Sequence, residues 1–201
     1  MLVVAVLVGH SIGCGGITGK FPTIEKFFCD LVTCGDRPGD RLGSPLGSIG
    51  TMSTLIHADE LEVGSVWPLG SHTPTEAEII EFARRWDPQR FHTDPAYAAD
   101  HFFGGIIASG IHTMAIFQRL AVPAVFDRWA TIAGRGMEDV RLLRPVRPDE
   151  KLTGSITVDA VDLHRPDRAT VSLTGRLESP DGAVLTMALE IAARRRAATE
   201  E

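Results

Sequence analysis

From Leu152 onward, apolar and polar positions alternate. Leu152, Gly154, Ile156 and Val158 are separated by Thr153, Ser155, Thr157 and Asp159, the two-residue repeat of a strand with one buried and one wet face. Val171, Leu173, Gly175 and Leu177 repeat the pattern against Ser172, Thr174 and Arg176, and so do Leu185, Met187, Leu189 and Ile191. Pro180-Asp181-Gly182 predicts a hairpin turn between the last two strands, and His164 to Arg168 the loop before them. Antiparallel neighbours follow.

Upstream of Ala130 the period is helical. A strand is expected around Val63 to His72, and Thr73-Pro74-Thr75-Glu76 supplies a helix start: Thr73 as cap, Pro74 at the first helical position, Glu76 three residues after the cap. Ile79, Phe82, Ala83 and Trp86 recur at i, i+3, i+4 and i+7, predicting one buried face. Asp87-Pro88 ends this helix, because the residue before proline avoids the α region. That leaves the Asp87 side chain free to face a cleft. Pro95 to His101 reads as a short helical turn and Phe103-Gly104-Gly105 as loop. Ser109 caps a second helix whose Ile111, Met114, Ala115, Ile116, Phe117, Leu120 and Ala121 leave little room for a polar face. Pro123 ends or kinks it. An antiparallel sheet with an apolar inner face needs a cover, and this helix is the apolar one available. The predicted class is α+β, a single domain in which the sheet wraps a central helix.

Composition adds boundaries rather than a different fold. With 201 residues, 44% apolar and 23% charged, the chain suits one globular domain. The first 51 residues differ from the rest, holding half of the 20 glycines and all three cysteines, Cys14, Cys29 and Cys34. Met1 to Val8 is apolar but lacks a preceding Lys or Arg and soon dissolves into glycines, so signal-peptide and membrane-span readings are weak. The expectation is a domain over 52–195 starting naturally at Met52, an N-terminal extension over 1–51 that is disordered or non-native, and a flexible tail over 196–201. An odd cysteine count without paired spacing fits a reducing cytoplasm. A net charge of −6 gives no general attraction to nucleic acid or to an anionic membrane.

The chemistry gathers between Trp86 and His112. Asp87 precedes His92 by five residues, too far for one helical face, but a tight loop closed by Pro88 can bring both into one cleft. An acid and an imidazole sharing one water can act as base toward that water and as acid toward a carbon next to a thioester. Charge then builds on the carbonyl oxygen, and a helix N-terminus offers free N–H groups to hold it. Gly110 suits this role because a residue without Cβ lets a ligand approach its backbone.

Each residue also has a plainer reading. Asp87 by itself is a common turn residue before proline, and Asp94 is best read as capping the turn into Pro95. Ser109 is a helix cap that can also orient water or thioester. Phe103 lines an acyl tunnel or a corner of the core. Arg84, Arg85, Arg90 and Arg144 are candidate phosphate contacts or solvated surface. His101 and His112 invite a metal reading, but the spacings match no compact zinc pattern and His112, at the third position of its helix, needs only a solvent or cap contact.

Asp87, Phe91 and His92, followed by Ala108-Ser109-Gly110, resemble the motif of the MaoC-like dehydratases, which include the (R)-specific enoyl-CoA hydratases. ELEVGSVW near residue 62 and VRLLRPVRPDEKLTGSITV from residue 140 look like the same family, so the resemblance covers roughly 58–193. The departures are Gln89 for the family's asparagine and Arg90 for its proline, with a proline instead at Pro88. The resemblance implies a hot-dog fold, a homodimer or dimer of dimers, and an acyl-CoA thioester substrate entering near the subunit interface. It assigns the catalytic acid and base to Asp87 and His92 and the oxyanion amide to Gly110; Ser109, Phe103 and Arg90 stand as the candidate substrate contacts from the residue readings above. No metal or redox cofactor is expected, CoA being part of the substrate. The expected activity is reversible hydration of a trans-2-enoyl-CoA to an (R)-3-hydroxyacyl-CoA; an acyl-CoA thioesterase and a non-catalytic acyl-binding partner subunit stand as alternatives.

Overall fold

The computed structural model describes residues 55–196. The expected N-terminal extension, the start at Met52, the three cysteines and the last five residues of the chain lie outside that range.

In chain order the elements are β1 (Val66–His72), α1 (Glu76–Trp86), α2 (Arg90–Thr93), α3 (Pro95–Asp100), α4 (Gly110–Ala121), β2 (Thr131–Leu142), β3 (Leu152–Asp162), β4 (Arg168–Ser179) and β5 (Gly182–Arg194), with a π-helical turn at Val122–Phe126 after α4. The strands form one sheet in the order β1-β3-β4-β5-β2. Every pairing within it is antiparallel.

The alternation that defines β3, β4 and β5 is what builds the inner face. Leu152, Ile156, Val158, Val171, Leu173, Leu177, Leu185 and Ile191 are all buried, and the register sets Val171 opposite Ile191, Leu173 opposite Leu189 and Leu177 opposite Leu185. Each of these side chains contributes roughly 1.5–3 kcal/mol on burial. Against that face lies α4, with Ile116, Phe117 and Ala121 buried. The fit is tight at Gly175 on β4, where a Cβ would come within 2.5 Å of Phe117 Cζ. A sheet wrapped round one helix is the hot-dog arrangement, and the bare backbone at position 175 lets the helix settle into the curve.

Four local expectations need correction. The cap of α1 is Thr75 rather than Thr73: Thr75 Oγ1 accepts the Glu78 N–H at 3.2 Å. The segment before it is committed elsewhere, His72 pairing with Leu152 on β3 and the Pro74 carbonyl accepting the Asp149 N–H at 2.8 Å. On the expected apolar face of α1, Ile79 and Ala83 are buried but Trp86 is 56% exposed. Its ring lies under the Arg85 guanidinium, 5.2 Å from the ring centre. Ile111, counted with the apolar face of α4, is 49% exposed. The fourth correction is His112, which is buried and stacked against Phe82 instead of meeting solvent. Pro123 behaves as expected, the α-helix stopping at Ala121.

β2 is a strand without a readable alternation. Among the described residues it forms one edge of the sheet, pairs only with β5 and is exposed along most of its length. Its register shifts at three places, one of them beside Asp139, which has φ 50°.

Candidate active site

Asp87 closes α1 as its C-cap, with φ −155° and ψ 72°, a conformation outside the helix that turns the side chain back toward the next segment. Pro88 stops further helix, and the chain re-enters a single helical turn at Arg90. That turn carries His92 back toward Asp87. His92 Nε2 and Asp87 Oδ2 are 3.7 Å apart, beyond a direct hydrogen bond but within reach of one shared donor or acceptor.

The orientation of His92 fixes its proton. Its Nδ1 lies 2.7 Å from the Ile107 carbonyl; a carbonyl only accepts, so Nδ1–H donates and the neutral ring keeps its lone pair on Nε2, the atom facing Asp87. His92 is buried, and one-fifth of the Asp87 side chain is exposed. Gln89 Nε2 donates to Asp87 Oδ1 at 3.0 Å, occupying one carboxylate oxygen while the other faces the histidine. The glutamine that departs from the family motif thus makes a direct contact with the acid.

The segment Ile107–Gly110 brings the third component. Ser109 is buried and caps α4, its Oγ accepting the His112 N–H at 3.2 Å. The amides of Gly110 and Ile111, in the same first turn, have no carbonyl within the helix to bond, and the helix dipole adds positive potential there. A Cβ on Gly110 would lie 2.3 Å from Leu142 Cδ1, so the glycine permits β2 to close over the helix start.

These groups meet at a cavity of about 400 Å³ lined by Phe91, His92, Phe103 and Gly110 and by Leu142 and Val146 from the strand side. Its wall is mainly apolar, with the imidazole, the helix N-terminus, Thr113 and Arg144 as polar points. That combination can hold an acyl group in the apolar part and polarise a carbonyl at the helix start while the Asp87–His92 pair handles a proton. Thr113, which also lines the cavity, donates its hydroxyl to the Ser109 carbonyl at 3.1 Å.

Of the residues expected from sequence, His92, Gly110 and Phe103 line this cavity; Asp87 stands behind His92 at 3.7 Å, and Ser109 is buried as the cap beside Gly110. Arg90 does not line the cavity. Its guanidinium pairs with Asp94 at 3.0 Å and sits 4.1 Å from the Tyr97 ring centre. Asp94 has the capping role read for it, accepting the Tyr97 N–H at 3.1 Å; that bond, aided by Arg90, holds its carboxyl below the usual carboxylate range. Arg144 lines the cavity while bonding Ser179 and Asp181. Phe102 is 91% exposed and does not line the cavity; its ring meets Phe103 edge to face, with centroids 5.2 Å apart. Leu142, Leu143 and Val146 are cavity residues that sequence reasoning did not single out, because no periodic pattern marks their segment. The same holds for the Ile107 carbonyl, a backbone group whose role depends on tertiary placement.

Comparison with known proteins bears on the family and the fold. The MaoC-like domain family model matches residues 66–178, more than half of the chain. A protein of Bacillus subtilis, YdeM, is 38% identical over 94 residues, covering 47% of this chain and 67% of that one. Among solved structures, the MaoC-like dehydratase from Rhodospirillum rubrum is 34% identical with a TM-score of 0.66, over 71% of this chain and 99% of that one. The (R)-hydratase PhaJ1 from Pseudomonas aeruginosa is 28% identical with a TM-score of 0.60, over 71% of this chain and 88% of that one. The helix-end aspartate, the one-turn histidine and the glycine opening the buried helix therefore sit in a chain that belongs to the MaoC-like dehydratase family.

Proposed function

We propose that this protein is an acyl-CoA hydro-lyase that adds water reversibly to a trans-2-enoyl-CoA, giving an (R)-3-hydroxyacyl-CoA. The observation that carries the reading is the 3.7 Å separation of His92 Nε2 and Asp87 Oδ2, with His92 and the helix start at Gly110 lining one cavity. The pair holds one water. As the water oxygen bonds to C3 of the enoyl group, the pair takes a proton from it, and a proton is returned to C2. Between the two transfers the thioester oxygen carries negative charge, which the Gly110 N–H stabilises; one such donor accounts for roughly 3–4 kcal/mol of barrier. The acyl chain lies along Phe103 and Leu142. Ser109 holds the helix start in place, and Gln89 holds the acid.

The expected homodimer has support in β2, whose outer edge is unpaired among the described residues, with Ile132, Met137, Val140 and Leu142 exposed. Long apolar edges invite a second strand. Leu142 belongs both to this edge and to the cavity wall, so a second copy would meet the cavity mouth. In the described residues no helix is long and apolar enough to cross a membrane, and a cytoplasmic location remains part of the proposal.

Crotonyl-CoA tests the reading. Loss of the conjugated enoyl absorbance without thiol release supports hydration. Thiol release would identify a thioesterase, and neither change would favour a partner subunit or a different acyl group.

A further inference from the structure

Outside the cavity, a second cluster of ionisable side chains lies beside α4, with His112 buried and His72 and Glu78 half-buried, and has no part in the chemistry above. His72 on β1 places Nε2 2.8 Å from Glu78 Oε1, and the same carboxylate oxygen lies 3.6 Å from His112 Nε2. The His112 ring stacks on Phe82, with centroids 4.3 Å apart and planes 9° from parallel. His112 is 3% exposed, and its Nδ1 has no hydrogen-bond partner among the described residues. A buried imidazole with one nitrogen unsatisfied carries a cost that a plain hydrophobic residue would avoid, so its position needs a reason.

The reason is suggested by what the ring connects. His112 stands two residues after Gly110 in the first turn of α4, and its own N–H is held by the Ser109 cap. Phe82 stands five residues before Asp87 on α1. Glu78 and His72 fix the first turn of α1 to β1, while the Phe82–His112 stack fixes the middle of α1 to the start of α4. We propose that His112 is a positioning residue, its ring setting the helix that ends in Asp87 against the helix that begins at Gly110. It touches neither substrate nor reacting atoms. A misplacement of about 1 Å between catalytic groups can cost 10²-fold, and His112 joins the two helices by side-chain contact, through the Phe82 stack and beside Glu78.

The test compares wild type with Phe82→Ala, His112→Ala and His112→Phe. The last keeps an aromatic plane against Phe82 and discards the unsatisfied nitrogen. Two readouts are taken on each protein: kcat and KM for crotonyl-CoA, an arm that rests on the hydratase reading, and amide hydrogen exchange over residues 84–92, which does not. The exchange arm reports on the Asp87 N–H bonded to the Ala83 carbonyl and the His92 N–H bonded to the Gln89 carbonyl. Positioning predicts a kcat lower by about 10- to 100-fold in both alanine variants, with KM within twofold, and faster exchange over 84–92. His112→Phe should rescue both readouts toward wild type. The idea is overturned if His112→Ala leaves exchange over 84–92 unchanged, or if His112→Phe behaves like His112→Ala. An inactive wild type with the predicted exchange pattern would remove the hydratase reading and leave the positioning role standing.

Discussion

Replacing Gly175 by alanine tests how the central helix is held. The added Cβ would sit 2.5 Å from Phe117 Cζ and 2.9 Å from Cε2, where carbon atoms normally keep about 3.5–4.0 Å. About 1 Å or more must be recovered. Phe117 is 1% exposed and Gly175 lies on a strand paired on both sides, so neither partner has open space to move into. Overpacking of this kind costs about 1–3 kcal/mol, and the lack of slack places this site in the upper part of that range. Alanine in a strand regains about 0.5–1 kcal/mol of the entropy that glycine loses. The net is a destabilisation of about 1–2 kcal/mol, or a Tm lower by about 2–8 °C for a domain of this size. Thermal unfolding followed by circular dichroism measures it. Gly136→Ala is the control, since nothing lies within 4 Å of a Cβ there. Gly175→Ala combined with Phe117→Leu should be less destabilised than the sum of the two single variants. A Gly175→Ala protein as stable as the control would refute the close packing between helix and sheet.

Other expected outcomes concern the site. In Gly110→Ala the new Cβ would displace the Leu142 side chain rather than backbone, so Tm should stay within about 3 °C, a shift of under ~1 kcal/mol, while kcat falls; a large loss of Tm with normal kcat would contradict the placement. Burial holds His112 below the ordinary histidine value, opposed by the nearby Glu78 carboxylate and assisted by His72. The unfolded chain therefore takes up this proton first as pH falls, and the folded state loses stability from about pH 6.5 downward. His112→Phe should remove that slope from urea-denaturation profiles, and identical slopes in the two proteins would contradict it. Arg90→Ala should leave KM for an enoyl-CoA within about twofold, well under ~1 kcal/mol, because its guanidinium is committed to Asp94 and Tyr97; a tenfold rise would restore Arg90 as a substrate contact.

Much of this molecule is legible without coordinates because its signals are local. Leu152–Asp159 and Leu185–Ile191 alternate cleanly since each strand has one buried and one solvated face, and Ser109 announces α4 through its own hydroxyl. The acid, the base and the glycine stand out because Pro88 and Ser109 mark where helices stop and start. What escapes is tertiary. β2 carries no alternation because it lies at an edge and is bulged, so Leu142 cannot be placed on the cavity from its neighbours. Trp86 fits the helical period of α1 yet faces solvent, since α1 packs through the narrower stripe of Ile79 and Ala83. His112 looks polar on a helix end but is buried, because a phenylalanine thirty residues earlier in the chain supplies a flat surface for its ring.

The central claim is that Asp87, paired with His92, moves the proton in hydration. Its most direct test is the rate of crotonyl-CoA hydration by Asp87→Asn relative to wild type, measured on proteins with matching circular dichroism spectra. The account predicts a loss of about 10² or more. A near-normal rate in that variant would contradict it and remove Asp87 from the mechanism.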